Sequence, residues 1–270
     1  MAERGGSLDS LLKLMEGARI FDLAQPYFTG MPHHPNHPPF LFGLTKKHGD
    51  YTFAGGASSA AEAIALGSHV GTHMDALCHF SQGGKLHGGI QAAGAQSYTR
   101  GIEALSIDTV APILRRGVLL DIAGLEGVDT LPAEFTVTPD HLERAVARAG
   151  ARVERGDVVL LRTGWAQFWD APARYVSQVQ GPGPELEGAR WLSARGVFAA
   201  GSDTLAFERV PSAAMPVHVH LLVEGGIHII EALNLEEIAA ARVYEFLFVA
   251  LPLKIRGGTG SPVRPVAVVV

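Results

Sequence analysis

The sequence predicts a mixed α/β fold, and three observations support this class. Apolar runs of strand length recur along the chain, for example over residues 117–122 and 157–161. Helical segments lie between some of these runs. The clearest begins at Thr138, because a Thr N-cap followed by Pro139 and Asp140 is typical of a helix start. The alternation of strands and helices is irregular, so the pattern indicates a mixed class rather than repeated βαβ units.

The other elements follow from the same hydrophobic patterns. Helices are expected over residues 7–16, 138–149, 185–195 and 235–241. Short strands are expected over residues 20–23, 60–66, 117–122, 157–161, 197–200, 227–230, 244–253 and 263–270. Residues 24–58 hold many Pro, Gly, His and aromatic residues, which predicts a long ordered loop region. No repeat or linker divides the chain, so we expect one domain over residues 1–270.

Composition excludes several classes of protein. Of the 270 residues, 47% are hydrophobic and 18% are charged, which is typical of a compact globular chain. The net charge of −5 and the lack of a Lys/Arg run argue against a nucleic-acid partner. The single cysteine, Cys78, excludes an internal disulfide and a site built from several thiolates. The charged N-terminus has no apolar core of a signal peptide, so we expect a cytoplasmic protein without a membrane partner.

Twelve histidines are the unusual feature of the composition, and three of them lie with an aspartate between positions 69 and 79. In an extended segment alternate residues share a face, so His69, His73 and Asp75 would point together, with Gly71 leaving room between the two imidazoles. A helix would also bring the two histidines together, but the glycines of the segment disfavour it. Two imidazole nitrogens and a carboxylate suit zinc, manganese or ferrous iron and leave coordination positions open.

His79 lies four residues beyond Asp75 and has two possible roles. It is either a further metal ligand or a group that transfers protons beside the metal. Because three ligands already make an open catalytic site, we favour His79 as the catalytic acid/base.

A second histidine cluster lies near the C-terminus. His218 and Glu231 are candidates for a second metal site, in which Asp75 would bridge two ions. The other two histidines of this region, His220 and His228, are interpreted as structural, because isolated histidines are seldom ligands.

The histidine-rich segment resembles the motif H-x-x-x-H-x-D-x-x-x-H of the cyclase family of metal-dependent hydrolases, which includes bacterial kynurenine formamidase and isatin hydrolase. In this chain the motif is His69-Val70-Gly71-Thr72-His73-Met74-Asp75-Ala76-Leu77-Cys78-His79. Blocks along most of the chain also resemble that family: Asp22-Leu23, Gly30-Met31-Pro32, and residues 116–121, 161–165, 201–204, 216–218 and 226–231. The resemblance implies a swivelling β/β/α domain that assembles as a homodimer or homotetramer.

The resemblance also implies roles for the candidate residues. His69, His73 and Asp75 match the ligands of a first metal, Mn²⁺ or Zn²⁺. His218 and Glu231 match the positions that hold a second metal in the formamidases. His79 matches the catalytic acid/base.

Two departures from the family pattern bear on the branch. Many members have Pro where this chain has Leu77, a position without metal chemistry. The chain is also longer than typical bacterial kynurenine formamidases, and its extra segments at residues 35–40 and 58–62 resemble the isatin hydrolase branch. That branch is associated with single-manganese sites, which leaves open whether His218 and Glu231 hold a second ion.

The implied activity is amide hydrolysis by metal-activated water, with His79 moving the proton to the leaving nitrogen. The first expectation is the opening of isatin to isatinate. Hydrolysis of N-formylkynurenine and a non-enzymatic metal-binding role are the alternatives. A planar aromatic substrate needs flat apolar walls, and five aromatic residues are candidates for them: Phe40, Tyr51, Phe53, Trp165 and Phe168.

Overall fold

A computed structural model describes residues 8–270 of the chain and contains one nine-stranded sheet with three small two-stranded ribbons. Within this range the strands are β1 (Arg19–Asp22), β2 (Leu41–Lys46), β3 (Ala61–Ala65), β4 (His73–Asp75), β5 (Gln96–Ser97), β6 (Gly101–Ile102), β7 (Ile113–Asp121), β8 (Thr136–Val137), β9 (Val158–Arg162), β10 (Gly183–Pro184), β11 (Ala199–Ser202), β12 (His228–Glu231), β13 (Glu245–Ala250), β14 (Gly260–Pro262) and β15 (Val266–Val269).

The helices are short and lie between the strands. They are α1 (Leu8–Met15), α2 (Ala92–Ala95), α3 (Ile122–Glu126), α4 (Pro139–Ala149), α5 (Pro172–Val176), α6 (Leu186–Ala194), α7 (Pro216–His218) and α8 (Glu236–Ala240). Three 3₁₀ turns (His87–Gly89, Ile107–Thr109 and Trp165–Phe168) and a π-helical segment (Val219–Gly225) complete the described helical structure. None of the helices between residues 8 and 270 has the length and apolar character needed to cross a bilayer.

The large sheet is mixed, with strand order β1-β15-β13-β7-β9-β11-β12-β4-β14. Strands β7, β9, β11 and β12 are parallel to their neighbours within this group, and the other pairs in the sheet are antiparallel. All five residues of β9 are buried, as is usual for a central parallel strand that is covered on both faces. The predicted mixed α/β class is therefore confirmed.

Alternate residues of the central strands enter two separate hydrophobic cores, one on each face of the sheet. Val118 and Leu120 of β7 pack in the core that also holds Leu142 of α4. Leu119, which lies between them, packs in the core that also holds Phe248 of β13. This alternation follows from the two-residue period of a strand.

The predicted helix at Thr138 forms as expected. The Thr138 hydroxyl accepts a hydrogen bond from the backbone N–H of His141, and Gly150 ends α4 with a φ of 61°. The first helix covers residues 8–15 of the predicted 7–16, and Ser7 lies outside the described residues. The remaining predicted helices and strands are present, with shifted ends.

The prediction of a loop over residues 24–58 is wrong in part, because β2 lies within it and pairs with β3. Every residue of this ribbon except Lys46 is exposed. With both faces in contact with solvent, β2 has no buried side to produce the alternation of apolar and polar residues that marks a strand in sequence.

The segment that begins at His69 is less extended than predicted. Only β4 is a strand, and residues 69–72 form a turn in which Gly71 has a φ of 67°. Gly71 also makes room for a different side chain than expected, because a Cβ there would overlap the ring of Tyr27 rather than separate two imidazoles. His69 therefore lies in a turn and does not share a strand face with His73 and Asp75.

Candidate metal centre

The register of β4 on β12 places the first two candidate ligands side by side. His73 is the direct partner of Glu231, so both side chains project from the same face of the sheet. Nε2 of His73 lies 3.3 Å from Oε2 of Glu231. Asp75 lies two residues beyond His73 on the same face, and its Oδ1 is 3.5 Å from Nε2 of His73.

His69 joins this group from the preceding turn. Its Nδ1 lies 2.7 Å from Oδ1 of Asp75, and its Nε2 lies 2.8 Å from the hydroxyl of Thr259. Close packing against β14 needs a glycine, because a Cβ at Gly260 would stand 2.6 Å from Cε1 of His69. The loop before β14 and the strand itself therefore hold this imidazole in place.

His218 completes the centre from α7. Its Nε2 lies 3.2 Å from Oε1 of Glu231, so the two oxygens of this carboxylate face His218 and His73 respectively. On its other side, Nδ1 of His218 lies 2.7 Å from Oε1 of Glu208, which also accepts the backbone N–H of His218. His69, His73, Asp75, His218 and Glu231 are all buried, and the structure brings the five predicted ligands together.

The hydrogen bonds of His73 select its tautomer. Its Nδ1 lies 2.8 Å from the carbonyl oxygen of Gly71, which can only accept, so Nδ1 carries the proton. In the neutral imidazole, Nε2 then has a lone pair that faces Asp75 and Glu231. This is the arrangement that a metal-binding histidine requires.

The donor set fits a divalent metal ion. Within the described part of the chain, two buried side-chain atoms have no hydrogen-bond partner, and they are Nε2 of His73 and Oδ2 of Asp75. Leaving such atoms unpaired costs roughly 1–3 kcal/mol each, which coordination to a cation would offset. Imidazole and carboxylate ligands suit zinc, manganese or ferrous iron.

The possible ligands form two groups that share one carboxylate. His73, Asp75 and Glu231 make one group, and His69, Asp75 and His79 make the other, with ligand atoms within 4.8 Å of one another in each. This grouping differs from the one expected from the sequence, since His73 pairs with Glu231 across the strands. Asp75 occupies the bridging position in both descriptions.

His79 is half-buried and stacks on His69, with ring centroids 3.8 Å apart. Burial lowers the pKa of His79 to about 3, against the opposing effect of the Asp75 charge. The imidazole is therefore neutral near pH 7 and has a lone pair for a proton or a metal. Both roles considered for His79 are compatible with this geometry.

The two carboxylates of the centre are ionised at neutral pH. Burial alone would raise the pKa of Asp75, but the neighbouring imidazoles of His79 and His69 hold it well below its usual value. Burial also opposes ionisation of Glu231, but the neighbouring imidazoles of His218 and His73 lower its pKa to about 2. The centre thus presents two negative charges to a cation.

A cavity of about 590 Å³ opens onto the centre. Phe80 lies on its wall, with its ring centroid 4.9 Å from that of His218 and 5.0 Å from that of His79. His34 and His37 also line the cavity, from the loop before β2, and the ring centroid of His37 is 5.3 Å from that of His69. Burial, with a further effect of His69, lowers the pKa of His37 to about 4.

None of the five aromatic residues proposed as substrate walls lines this cavity. Phe40 stacks on Tyr27 at 5.7 Å, and the Trp165 indole donates to the carbonyl of Tyr175. Tyr51 and Phe53 are exposed near the β2–β3 ribbon, and Phe168 packs on Trp165. These rings stabilise the fold or lie on the surface, and sequence spacing alone did not distinguish those places from a pocket wall.

Sequence reasoning missed Glu208 and Thr259 completely. Glu208 is an isolated acid between Phe207 and Arg209, and Thr259 follows a glycine pair, so neither lies in a recognisable motif. The histidines of the loop before β2 were visible as a local enrichment, but nothing connected them with a centre that begins at His69.

The two histidines interpreted as structural have hydrogen-bond partners other than the side chains of the metal centre. His220 lies 2.7 Å from Glu224 and 2.8 Å from Ser193. Nδ1 of His228 donates to the backbone carbonyl of Asp75 at 2.9 Å. Their contacts agree with the structural interpretation.

A comparison with protein families assigns the chain. The sequence model of the Cyclase family ("Putative cyclase") matches residues 21–209. The chain belongs to the cyclase family. The matched region contains His69, His73, Asp75 and His79 and ends before His218.

The curated relatives of this cyclase-family chain include two hydrolases. Kynurenine formamidase of Bordetella petrii is 22% identical over 255 residues, which cover 92% of this chain and 97% of the relative. Isatin hydrolase of Roseibium aggregatum is 25% identical over 214 residues, which cover 76% of this chain and 73% of the relative. The chain is therefore a cyclase-family hydrolase, with substrates that differ among its relatives.

Solved structures show the same fold. A structure described as a novel cyclase is 32% identical and superposes with a TM-score of 0.85, covering 96% of this chain and 89% of its own. Isatin hydrolase A from Ralstonia solanacearum is 24% identical and superposes with a TM-score of 0.77 over 100% of both chains. The predicted cyclase-family architecture is thus confirmed.

Proposed function

We propose that this chain is a metal-dependent amidohydrolase that opens the ring amide of a planar aromatic substrate, with isatin as the first choice and isatinate as its product. The observation that carries the proposal is the location of His79 beside Asp75, in the lining of the cavity. The similarity to isatin hydrolase of Roseibium aggregatum supports the substrate.

In this proposal His69, His73 and Asp75 hold a divalent metal, Mn²⁺ or Zn²⁺, and His218 and Glu231 hold a second ion if the centre binds two. When bound, such an ion supplies a Lewis acid that polarises the amide carbonyl and makes water more acidic. The unpaired Nε2 of His73 and Oδ2 of Asp75 support this assignment.

His79 is the proposed proton carrier. Its neutral imidazole accepts a proton from the attacking water and delivers it to the leaving nitrogen as the C–N bond breaks. The stack on His69 restricts the rotation of its ring, and Phe80 makes an edge contact with the same ring at 5.0 Å. These contacts hold one imidazole at the cavity, beside the candidate ligands.

We also propose that the chain works as a homodimer or homotetramer. The β2–β3 ribbon exposes an apolar surface, with Leu41, Phe42, Leu44 and Ile64 each at least half exposed. A two-stranded ribbon is marginally stable in water without a covering surface, and a second copy of the chain would provide one. A Phe42→Lys variant should shift the mass measured by light scattering towards the monomer, whereas an unchanged mass would contradict this interface.

Hydrolysis of N-formylkynurenine is the second candidate function. The similarity to kynurenine formamidase of Bordetella petrii, which covers 92% of this chain, favours it. A non-enzymatic metal-binding protein is the third possibility, and it would keep His79 as a permanent ligand with no exchangeable position.

The deciding experiment compares two substrates with two metals. The protein loaded with Mn²⁺ or Zn²⁺ is incubated with isatin and with N-formylkynurenine, and turnover is followed by absorbance. We expect opening of isatin by the wild type and a fall of about 10²–10⁴-fold in a metal-loaded His79→Ala variant. Turnover of the formyl substrate alone would assign the second function, and metal binding without turnover of either would support the third.

A further inference from the structure

We infer that the cavity selects neutral aromatic amides and discriminates against substrates that carry an amino-acid headgroup, because its described walls contain no lysine or arginine side chain. The inference rests on the proposed amidohydrolase function and narrows its substrate class. It separates substrates such as isatin from substrates such as N-formylkynurenine, whose headgroup has a carboxylate and an ammonium group.

The composition of the walls is the first observation. Away from the metal centre, most lining side chains are apolar: Phe80, Val179, Leu205, Ala206, Val210 and Met215. Asn36, Gln178 and Ser212 add neutral polar groups, and His34 and His37 add two imidazoles. Glu231 is the one carboxylate among the described lining residues, and its oxygens already face His73 and His218.

The cations closest in sequence to these walls are engaged elsewhere. The guanidinium of Arg174 lies 3.6 Å above the ring of Phe168. Nε of Arg209 donates to Glu185 at 2.8 Å. Neither side chain lines the cavity, so a substrate carboxylate would lose its water without meeting a guanidinium group from these walls.

This difference has an energetic consequence for binding. Removal of a charged group from water is costly unless the protein supplies an opposite charge or several hydrogen bonds. A neutral aromatic ligand avoids that cost, and burial of its ring against the apolar wall favours binding. We therefore expect a preference of about tenfold or more for a neutral ligand over its zwitterionic counterpart.

The test uses two ligand pairs that differ only in the amino-acid headgroup. The first pair is 2′-aminoacetophenone and kynurenine, which contain no formamide to hydrolyse and report binding to the metal-loaded wild type by calorimetry. The second pair is their N-formyl derivatives, which report turnover. We expect the neutral member of the first pair to bind about tenfold tighter or better.

The two readouts separate the inference from the proposed function. Equal binding, tighter binding of kynurenine, or no binding of either ligand would overturn the inference. Tighter binding of the neutral ligand, with no hydrolysis of either formamide or of isatin, would support the inference and contradict the amidohydrolase function.

A charge introduced at the cavity supplies a matched control. Gln178 lines the cavity, is exposed, and has a φ of 57°, so every replacement there has the same backbone strain. In Gln178→Arg we expect the preference for the neutral ligand to fall several-fold, because a guanidinium can pair with the carboxylate. In Gln178→Glu we expect the preference to persist, and equal ratios in the Arg variant and the wild type would overturn the inference.

Discussion

Glu208 holds His218 through one carboxylate oxygen, which accepts the backbone N–H at 3.0 Å and Nδ1–H at 2.7 Å. Because Nδ1 is used in this way, Nε2 of His218 faces Glu231 at 3.2 Å. Glu208 is buried and has no contact with the cavity, so it acts by positioning another side chain. Outer partners of this kind commonly contribute 10–100-fold to metal affinity.

Replacement of Glu208 should therefore weaken metal binding. We expect Glu208→Ala to lower metal affinity about 10–100-fold, and Glu208→Gln to have a smaller effect because its amide oxygen can still accept. Titration calorimetry with Mn²⁺ and Zn²⁺ measures the change. Glu185→Gln, which removes an exposed ion pair with Arg209, is the control and should leave the affinity unchanged. Unaltered binding in Glu208→Ala would show that His218 is not a ligand or needs no support.

Removal of the metal should lower the melting temperature, because an ion bound at the buried centre stabilises the folded state. An ion present at a hundred times its Kd stabilises the folded state by about 2.7 kcal/mol, which corresponds to roughly 5–10 °C for a chain of this size. In Asp75→Ala and His73→Ala this response to metal should disappear, because each variant removes one of the unpaired buried groups. His48→Ala, an exposed histidine on the β2–β3 loop, should respond like the wild type. Full metal content in Asp75→Ala would show that the ligand assignment is wrong.

His79→Ala separates the two roles of that residue. As a proton carrier, His79 should be replaceable without loss of metal, while turnover falls about 10²–10⁴-fold. If His79 is a ligand, its replacement should reduce metal content together with activity, because only His69 and Asp75 of its ligand group would remain. Metal analysis of the purified variant beside its rate decides between them. A variant with its metal and near-native turnover would exclude both roles.

Gly71→Ala should be more destabilising than Gly83→Ala. Both glycines have a positive φ, 67° and 57°, so alanine at either position costs about 1–2 kcal/mol of backbone strain. At Gly71 the added Cβ would also overlap Tyr27, whose hydroxyl donates to the carbonyl of Thr72, whereas a Cβ at Gly83 meets nothing within 4 Å. We expect a further loss of about 1–3 kcal/mol at Gly71 in urea denaturation. Equal losses would show that the Tyr27 contact is unimportant.

Local patterns determined the elements whose signals lie within a few residues. The α4 helix was predictable because Thr138 and Gly150 satisfy its ends through short-range hydrogen bonds. The buried strand β9 was predictable because five consecutive apolar or long side chains leave no polar face. The proximity of His69, His73 and Asp75 could also be expected, because all three lie within seven consecutive residues.

The β2–β3 ribbon was missed for a physical reason. A strand is recognisable in sequence when one face is buried and the other is exposed to solvent, because apolar and polar residues then alternate. In this ribbon nearly all side chains are exposed, so the alternation is missing. The aromatic residues of the cavity wall were predicted wrongly for a related reason. Phe80 and Trp165 are both aromatic, but one faces the cavity while the other packs in a core, and that difference depends on distant segments.

The sequence by itself determined the mixed α/β class, the cluster of residues from His69 to His79, and the family resemblance. The tertiary structure alone decided that Glu231 stands beside His73, through the antiparallel register of β4 and β12, and that Glu208 supports His218. It also decided that His69 lies in a turn and that the described lining of the cavity contains no lysine or arginine. Helix ends and strand periods depend on neighbours in sequence, whereas cross-strand pairing and pocket walls depend on contacts between segments far apart in the chain.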